Sequence, residues 1–436
     1  MNAGVRQGDS LSPTLFSLFL NDLAEAVKDL DAGIMVAGIC LSLLLYADDI
    51  VLLAPTPEKL QLMLDTVAKW CRTWGMQINT KKTQILHVRN PQRPRSSFQF
   101  NCGGAPLCYT DTYKYLDFFL HEHLSNSKHV DTLTSSASRS FSRMYSIFKS
   151  VGNLGINTYE TLYSSYVESI MNYSSGVWGY RHYDAPQVLQ NRIMRFFLGV
   201  HKFAPVSSIK IEMDWLECRE ARWISMLRLY NRIIKMDDER LPKIIYNWDK
   251  SLGLNTWVSE IKHISAEIGL TVDDGNEQQF DLCDIYNKLI KANRQKWHLE
   301  ATRKPKLRTY LEIHDFENIQ TLAKSELSRY QRSLLSQLKF GILPLKIETD
   351  RYQGVPVEER ICKLCTSNAV EDTYHFMFSC TALQDTRDKA IGQLNIDMNS
   401  INAPYMLNTL LNKENILNCG KYVEMLYRKR QSIVYT

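Results

Sequence analysis

The chain has 436 residues, 44% hydrophobic and 11% aromatic, which is ordinary globular composition with enough length for two to four domains. No signal peptide is recognisable, and the longest apolar run, residues 34–47, is too short to span a bilayer, so no membrane partner is expected. Ten cysteines without a secretory signal indicate an intracellular, reducing compartment. Whether this is the cytoplasm, the nucleus or both is not specified.

The formal net charge of +5 is unevenly distributed. Residues 1–60 contain eight acidic and three basic side chains, a net charge of −5, so the remainder carries +10. This division suits a protein that holds cations at one place and a polyanion elsewhere. The alternative is ordinary solvated charge on a large helical protein.

The first segment, "GVRQGDSLSPTLFSLFLNDLAEAVKDL", begins with a glycine-rich turn at Gly4 and Gly8. Ser12 followed by Pro13 predicts a helix start with a capping hydroxyl. The helix is expected to continue to about Leu30. Its buried stripe is predicted from the helical spacing of four apolar side chains, Leu15, Phe19, Leu23 and Val27.

The stretch "LLLYADDIVLLA" places the adjacent acids Asp48 and Asp49 between two apolar runs. The runs predict two buried strands that meet at an acidic turn. Adjacent carboxylates need a partner such as a divalent cation, and acids at a hairpin tip suit metal-dependent phosphoryl transfer. An ordinary solvated turn is the alternative for an isolated Asp-Asp pair.

Residues 60–74 repeat the helical period, and Gly75 is placed to end that helix. A strand with a basic start, "MQINTKKTQILHV", is predicted next, and "YKYL" follows at residues 113–116. From residue 128 to 236 the pattern indicates helices that carry Arg139, Arg143, Arg192 and Arg195 among aromatic side chains. Residues 241–345 are again expected to be mostly helical, with a basic patch, "RKPKLR", at 303–308.

The stretch "CKLCTSNAVEDTYHFMFSC" supplies three thiols and one imidazole in nineteen positions, at Cys362, Cys365, His375 and Cys380. Such a set can close a tetrahedral Zn²⁺ site. Buried free thiols are the alternative.

Four of these stretches together resemble the successive motifs B, C, D and E of reverse transcriptases. Their residues are most similar to those of non-LTR retrotransposon polymerases. They are "GVRQGDSLSP", "YADD", "WG" with "INTKKT", and "YKYL". The helices after residue 125 resemble the thumb and connection regions of these polymerases. By this resemblance their arginines at 139, 143, 192 and 195 and the interleaved aromatic residues are expected to contact phosphate and sugar. The alternative is that the aromatic residues form the core and only some of the arginines face nucleic acid. The Cys/His stretch resembles the zinc-binding module found near the C-terminus of such proteins.

The resemblance implies that Asp48 and Asp49 are Mg²⁺ ligands of the palm, with Asp48 the more direct one, in two-metal nucleotidyl transfer. It places Arg6, Gln7, Gly8 and Tyr46 against template or incoming nucleotide, and it makes Lys82 a cation or proton donor near the leaving pyrophosphate. For Lys82, a gatekeeping charge on an exposed strand edge is the alternative. RNA template and DNA primer are the implied partners.

The sequence departs from this family at two points. Asp117 stands where the family has a glycine, so the tight turn of motif E is not expected. The motif A carboxylate and the fingers would precede Gly4, so we expect an N-terminal polymerase portion, and with it possibly an endonuclease, to be missing. We therefore expect this chain alone to be inactive as a polymerase. The rival hypotheses are a non-catalytic nucleic-acid-binding protein and a decayed or incomplete gene product.

The predicted fold class is α+β: a partial right-hand polymerase palm with an acidic hairpin, then mostly helical regions and a small zinc module. The predicted boundaries are 1–124 for the palm, 125–240 for the thumb-like region, 241–345 for the connection region, 346–390 for the CCHC zinc-binding module and 391–436 for a C-terminal tail.

Overall fold

The structure is a computed structural model that describes residues 4, 6, 8–253, 255–270, 277–313, 321–394, 403–412 and 414–434. The described residues within Met1–His129, Tyr230–His263 and Thr271–Glu277 form one compact unit. Those within Val130–Leu229, Ile264–Leu270 and Gln278–Thr436 form a second unit. The described chain is a mixed α and β structure in which all of the paired strands lie in the first unit.

The strands are β1 Ile34–Val36, β2 Ile39–Leu41, β3 Leu43–Tyr46, β4 Asp49–Leu52, β5 Gln84–Leu86, β6 Phe100–Cys102, β7 Ala105–Thr110, β8 Thr112–Tyr115 and β9 Phe118–His121. The helices up to residue 234 are α1 Ser12–Phe19, α2 Asn21–Lys28, α3 Pro57–Thr73, α4 Ser127–Val151, α5 Ile156–Tyr163, α6 Ser169–Met171, α7 Ser175–Trp178, α8 Asp184–Leu198, α9 Val206–Met213 and α10 Cys218–Ile234. The later helices are α11 Leu241–Leu252, α12 Trp257–Glu267, α13 Leu282–Thr302, α14 Arg308–Ile313, α15 Thr321–Lys324, α16 Arg329–Lys339, α17 Lys346–Thr349, α18 Gln384–Leu394, α19 Ala403–Leu411 and α20 Ile416–Val434.

The N-terminal helix differs from its prediction in two respects. It is broken at Leu20 into α1 and α2, and its cap residue Leu11 makes no side-chain capping bond. The predicted cap was wrong because the Ser12 hydroxyl donates to the Arg6 carbonyl, at 2.6 Å, across the glycine turn. The predicted stripe was wrong at Leu15, which is exposed, whereas Leu23 and Val27 are fully buried.

The acidic hairpin forms as an antiparallel pair, β3 with β4, in the register Leu43↔Leu52 to Tyr46↔Asp49. The strands are less buried than predicted: Leu43 is buried, but Leu45 is exposed at 37%. The reason is that this sheet has only two strands in the described part of the chain, and α2 and α3 cover one end of it.

Helix α3 ends at Thr73, and Gly75, two residues later, has the φ of +67° that a glycine after a helix C-terminus commonly adopts. The strand predicted after it is much shorter than expected. Only Gln84–Leu86 is extended, as β5, which pairs in parallel with β7. Lys82 therefore lies in an exposed turn rather than on a strand, and its amide donates to the Asn79 carbonyl and side chain.

A tight turn joins β8 and β9 despite Asp117, contrary to the expectation from the sequence. Tyr115 pairs with Phe118, which leaves Leu116 and Asp117 as a two-residue loop with φ values of +47° and +63°. Positive φ at both positions is the type I′ arrangement that suits the twist of a hairpin. Aspartate tolerates this conformation better than most side chains do, because it is short and polar.

This strained turn gives a stability prediction. Replacing Leu116 by Asn together with Asp117 by Gly should raise the free energy of unfolding by about 1 kcal/mol, because Asn-Gly adopts positive φ with little strain. The lost ion pair between Lys114 and Asp117 is exposed and contributes little. Urea denaturation measures the change. Asp117→Val should lower stability, and a more stable valine variant would contradict this account.

The second unit is helical, as the pattern predicted, and its described residues include two large hydrophobic cores. One joins α4, α5, α8, α9 and α13, and the other joins α16, α18, α19 and α20 with the segment around Cys362. The predicted C-terminal tail thus contains two helices, with Leu407, Tyr422 and Leu426 fully buried. None of the described helices is both long enough and apolar enough to cross a membrane.

Candidate functional site

The two hairpin acids lie side by side at an exposed tip. Asp48 is the second residue of the two-residue turn, and Asp49 begins β4 opposite Tyr46. Both carboxylates and the Tyr46 ring are exposed. Ala47, the first turn residue, has a φ of +50°, a left-handed conformation that costs a non-glycine residue about 1 kcal/mol. The fold therefore presents both carboxylates to a ligand from solvent.

The β8–β9 hairpin contributes a neighbour of the acidic tip that the sequence patterns did not indicate. Burial raises the pKa of Tyr115, and the negative charge of Asp49 raises it further. The Tyr115 hydroxyl is therefore within electrostatic range of the acidic tip, although 66 positions separate the two residues in sequence. No motif spacing signals this proximity, because it depends on how the two hairpins pack.

The other residues predicted for template and nucleotide are placed as follows. Arg6 and Gly8 are exposed in the N-terminal turn, where Gly8 has a φ of +88° and a Cβ would meet no atom within 4 Å. Gln7 lies outside the described residues. Lys82 is exposed in its turn. No described contact joins Arg6, Gly8 or Lys82 to the hairpin acids.

Within the described residues, a single group contains three or more potential metal-binding side chains, and it is not the acidic hairpin. No third His, Cys, Asp or Glu of that part of the chain lies with Asp48 and Asp49 in such a group. Two ions at this tip would thus lack an opposing ligand from the described residues.

The group that does form consists of Cys362, Cys365, His375 and Cys380, whose ligand atoms all lie within 4.8 Å of one another. Two short turns bring them together. Ile361 and Val370 form a bridge that closes the first cysteine loop, and a π-helical turn, His375–Ser379, separates the last two ligands. Three of the four residues are buried, and Cys365 is partly exposed.

The separations within this group match those of a tetrahedral zinc site. The Cys362 and Cys380 sulfurs are 3.9 Å apart, and the Cys365 sulfur is 3.4 Å from His375 Nε2. Zinc bonds of about 2.3 Å to sulfur and 2.0–2.1 Å to nitrogen require separations of roughly 3.8 Å and 3.6 Å in a tetrahedron. The four side chains form a group that could bind zinc.

The thiols of this group have unequal acidities. Burial raises the pKa of the Cys362 thiol to about 12. Burial also works against the Cys365 thiolate, but hydrogen bonds with Ser367, Cys362 and His375 together outweigh it and lower the pKa of Cys365 to about 6. The Ser367 hydroxyl is 3.0 Å from the Cys365 sulfur, a contact that the ligand spacing did not indicate. A bound cation would favour the thiolate at every sulfur.

A buried ion pair attaches this group to the last helix. Glu371 accepts two hydrogen bonds from the Arg430 guanidinium, at 2.8 and 3.0 Å, and a third from the Lys346 amide at 2.8 Å. Arg387, also buried, donates to the carbonyls of Cys380 and Met377. The ligand turns are thus held by two arginines from α18 and α20.

The arginines predicted to contact nucleic acid in the helical region are placed unequally. Arg139, Arg143 and Arg192 are exposed, and Arg195 is half-buried. Of the interleaved aromatic residues, Tyr163 is in the core, and Tyr145 packs against Phe196 with ring centroids 4.6 Å apart. Most of the aromatic surface is therefore used in packing.

Residues 1–120, which contain the acidic hairpin, match the family described as reverse transcriptase (RNA-dependent DNA polymerase). They are a reverse-transcriptase-like region. This region ends at residue 120, within β9, so the acidic hairpin lies inside it and the β8–β9 hairpin lies at its edge.

Similar proteins are polymerases of non-LTR retrotransposons. The RNA-directed DNA polymerase from mobile element jockey of Drosophila funebris is 27% identical over 225 residues, 49% of this chain and 24% of that protein. The probable RNA-directed DNA polymerase from transposon BS of Drosophila melanogaster is 29% identical over 212 residues, 45% of this chain and 22% of that protein. The Pol polyprotein from type-1 retrotransposable element R2 of Popillia japonica is 34% identical over 120 residues, 26% of this chain and 20% of that protein. The match therefore spans about a quarter or less of each relative.

Proposed function

We propose that this chain carries the metal-binding hairpin of a non-LTR retrotransposon RNA-directed DNA polymerase, which acts on an RNA template and a DNA primer. The observation that supports it best is the exposed pair Asp48 and Asp49 at a two-residue hairpin tip inside the reverse-transcriptase-like region. Magnesium bound there would supply the positive charge that activates an attacking hydroxyl and stabilises a leaving pyrophosphate.

The proposal assigns motifs B to E to residues 4–13, 46–49, 74–83 and 113–116. Asp48 and Asp49 are the metal ligands. Gly8 leaves room for a base or nucleotide, because no atom lies where its Cβ would be. Arg6, Gln7 and Tyr46 are the residues proposed to contact template or incoming nucleotide. The Lys82 ammonium is the proposed proton donor to pyrophosphate, and its exposed turn leaves it free to reach a bound substrate.

We further propose that this chain by itself extends a primer no faster than background. Two-metal transfer needs a ligand opposite the hairpin to fix both ions in line with the reacting phosphate. No such third ligand lies with the hairpin acids among the described residues. Primer extension on an RNA template tests this, and Mg²⁺-dependent extension that disappears in Asp48→Ala would contradict it.

Metal binding by the hairpin can be measured without activity. Mn²⁺ replaces Mg²⁺ at carboxylate sites and is detected by electron paramagnetic resonance. Wild-type protein should bind a Mn²⁺ ion that the double variant Asp48→Asn with Asp49→Asn no longer binds. The matched control is the double variant Asp237→Asn with Asp238→Asn, which changes an adjacent exposed pair outside the reverse-transcriptase-like region and should leave Mn²⁺ binding unchanged. Equal Mn²⁺ binding by the hairpin variant and wild type would refute the hairpin site.

We also propose that Cys362, Cys365, His375 and Cys380 bind one Zn²⁺ ion with a structural role. All four tetrahedral positions are filled by protein atoms, which leaves none for a water or a substrate. The burial of three of the ligands supports this role.

A non-catalytic nucleic-acid-binding protein is the second candidate, because the Cys/His group has all four ligands while the acidic hairpin has two. Under this alternative, binding weakens with salt equally in wild type and Asp48→Ala, since phosphate contacts rather than the metal supply the affinity.

A further inference from the structure

The basic patch "RKPKLR" at residues 303–308 is held rigidly in the second unit. It follows α13 as a 3₁₀ turn, Pro305–Leu307, and its Leu307 side chain is fully buried. A Cβ at Gly341 would overlap the Lys306 carbonyl, so the backbone fits closely there. The Arg308 guanidinium donates to Glu348 at 3.0 Å. Anchors on both sides therefore fix where Lys306 lies.

Lys306 lies against an exposed aromatic ring. Its ammonium donates to the Tyr352 hydroxyl at 2.7 Å and is 4.9 Å from the centre of that ring. Tyr352 belongs to a second 3₁₀ turn, Asp350–Gln353, and is 70% exposed. A tyrosine this exposed contributes little to the core, so packing does not account for it.

A second exposed ring with a lysine follows α8 in the loop at residues 201–203. Phe203 is 66% exposed, and the Lys202 ammonium is 5.0 Å from the centre of its ring. The pKa of the neighbouring His201 is lowered, first by burial and then by the positive charges of Lys306 and Arg195. The Lys304 ammonium of the basic patch also donates to the Ser207 hydroxyl, four residues after Phe203, at 3.1 Å. The loop and the basic patch are therefore neighbours.

The carboxylates beside these cations already have partners. Arg308 pairs with Glu348, and Asp350 accepts hydrogen bonds from Lys346 at 3.2 Å and from Thr349 at 2.9 Å. In the part of the chain that the structure describes, Lys202, Lys306 and Arg351 form no salt bridge. The result is a surface with two exposed rings and an excess of positive over negative charge.

We propose that Lys202, Phe203, Lys306, Arg351 and Tyr352 form an aromatic–basic surface that binds single-stranded nucleic acid. Bases stack on the two rings, and the three cations contact the phosphates. A duplex does not expose its base faces for stacking, and an acidic peptide would not need exposed rings. The inference rests on the proposed function, since that supplies nucleic acid as the partner class. It adds a binding site whose residues include neither the hairpin acids nor the cysteine and histidine ligands.

The test is fluorescence anisotropy of a labelled twenty-nucleotide poly-U or poly-dT strand with the full chain, without added Mg²⁺. Tyr352→Ala should weaken binding about tenfold, because stacking on one aromatic side chain changes single-strand affinity by that order. Tyr352→Phe should bind like wild type, because the ring remains. Lys306→Ala should reduce the slope of log affinity against log salt by about 0.7, the value for one phosphate contact on a single strand.

Two controls come from the same unit. Tyr405 is exposed at 64%, and Lys389 is an exposed lysine on α18, so Tyr405→Ala and Lys389→Ala should leave affinity and salt slope unchanged. An unchanged single-strand affinity in Tyr352→Ala, together with an unchanged salt slope in Lys306→Ala, would overturn the proposal that this surface binds single strands. Equal competition by a duplex of the same length would also overturn it. Neither outcome bears on Mn²⁺ binding by Asp48 and Asp49, so the two proposals can fail separately.

Discussion

Replacing Cys362 and Cys365 together by serine should abolish zinc binding and unfold the C-terminal part of the second unit. Wild-type protein should contain about one zinc ion per chain, measured by mass spectrometry of the metal. Structural zinc contributes about 10 kcal/mol or more in small modules, which exceeds the stability of a typical region of this size. Cys362 and Cys380 also belong to the core that includes α16, α18 and α20, so the loss should spread to those helices.

The control for this prediction is Cys283→Ser, because Cys283 is an exposed free thiol outside the group of ligands. It should keep the full zinc content. Cobalt substitution gives a second readout, since three sulfurs and one nitrogen around Co²⁺ produce the intense visible bands of a tetrahedral site. A double serine variant that retained zinc, or wild-type protein without metal after growth in zinc-supplemented medium, would refute the zinc site.

Arg430→Met should lower the free energy of unfolding by about 3–5 kcal/mol, because it leaves the Glu371 carboxylate buried without its charged partner. Glu371 is 2% exposed and sits between the ligand turns and α20, so water cannot replace the two lost hydrogen bonds. Denaturation followed by the fluorescence of a probe on the second unit measures the loss. Zinc affinity should fall as well, because Glu371 also holds the Lys346 amide beside the ligand turns.

The same helix supplies a matched control. Arg428 pairs with Glu424 one turn apart, and its side chain is 67% exposed, so Arg428→Met should cost less than about 1 kcal/mol. The double variant Arg430→Met with Glu371→Gln should lose less free energy of unfolding than the sum of the losses in the two single variants, because no unpaired buried charge remains. Equal losses of unfolding free energy in Arg430→Met and Arg428→Met would show that the buried ion pair does not stabilise the ligand turns.

Some features followed from local sequence because neighbouring residues determine them. The acids of "YADD" lie at a two-residue turn because apolar strands flank them on both sides, and the Cys362, Cys365, His375 and Cys380 ligand atoms lie together because short turns join them. The helical periods of α3 and of the region after residue 127 are likewise local, and the structure contains those helices.

Other expectations failed where a contact competed with the local pattern. The Ser12 hydroxyl bonds to the Arg6 carbonyl instead of capping the helix, and Leu15 remains exposed although it has helical spacing. The strand expected around Lys82 is shortened by a turn in which the Asn79 side chain accepts a hydrogen bond from the Lys82 amide. Asp117 adopts a positive φ, although the absence of a glycine at this position had led us to expect no tight turn.

The sequence by itself determined the local chemistry of this protein: two adjacent carboxylates at a hairpin turn, and four zinc-type ligands within nineteen positions. Only the tertiary structure decided which distant residues join them. Asp49 acts on Tyr115, Glu371 pairs with Arg430 across 59 positions, and Lys306 meets Tyr352 across 46. The physical reason is that turns and periodicity arise from neighbouring residues, whereas these contacts depend on the packing of whole hairpins and helices.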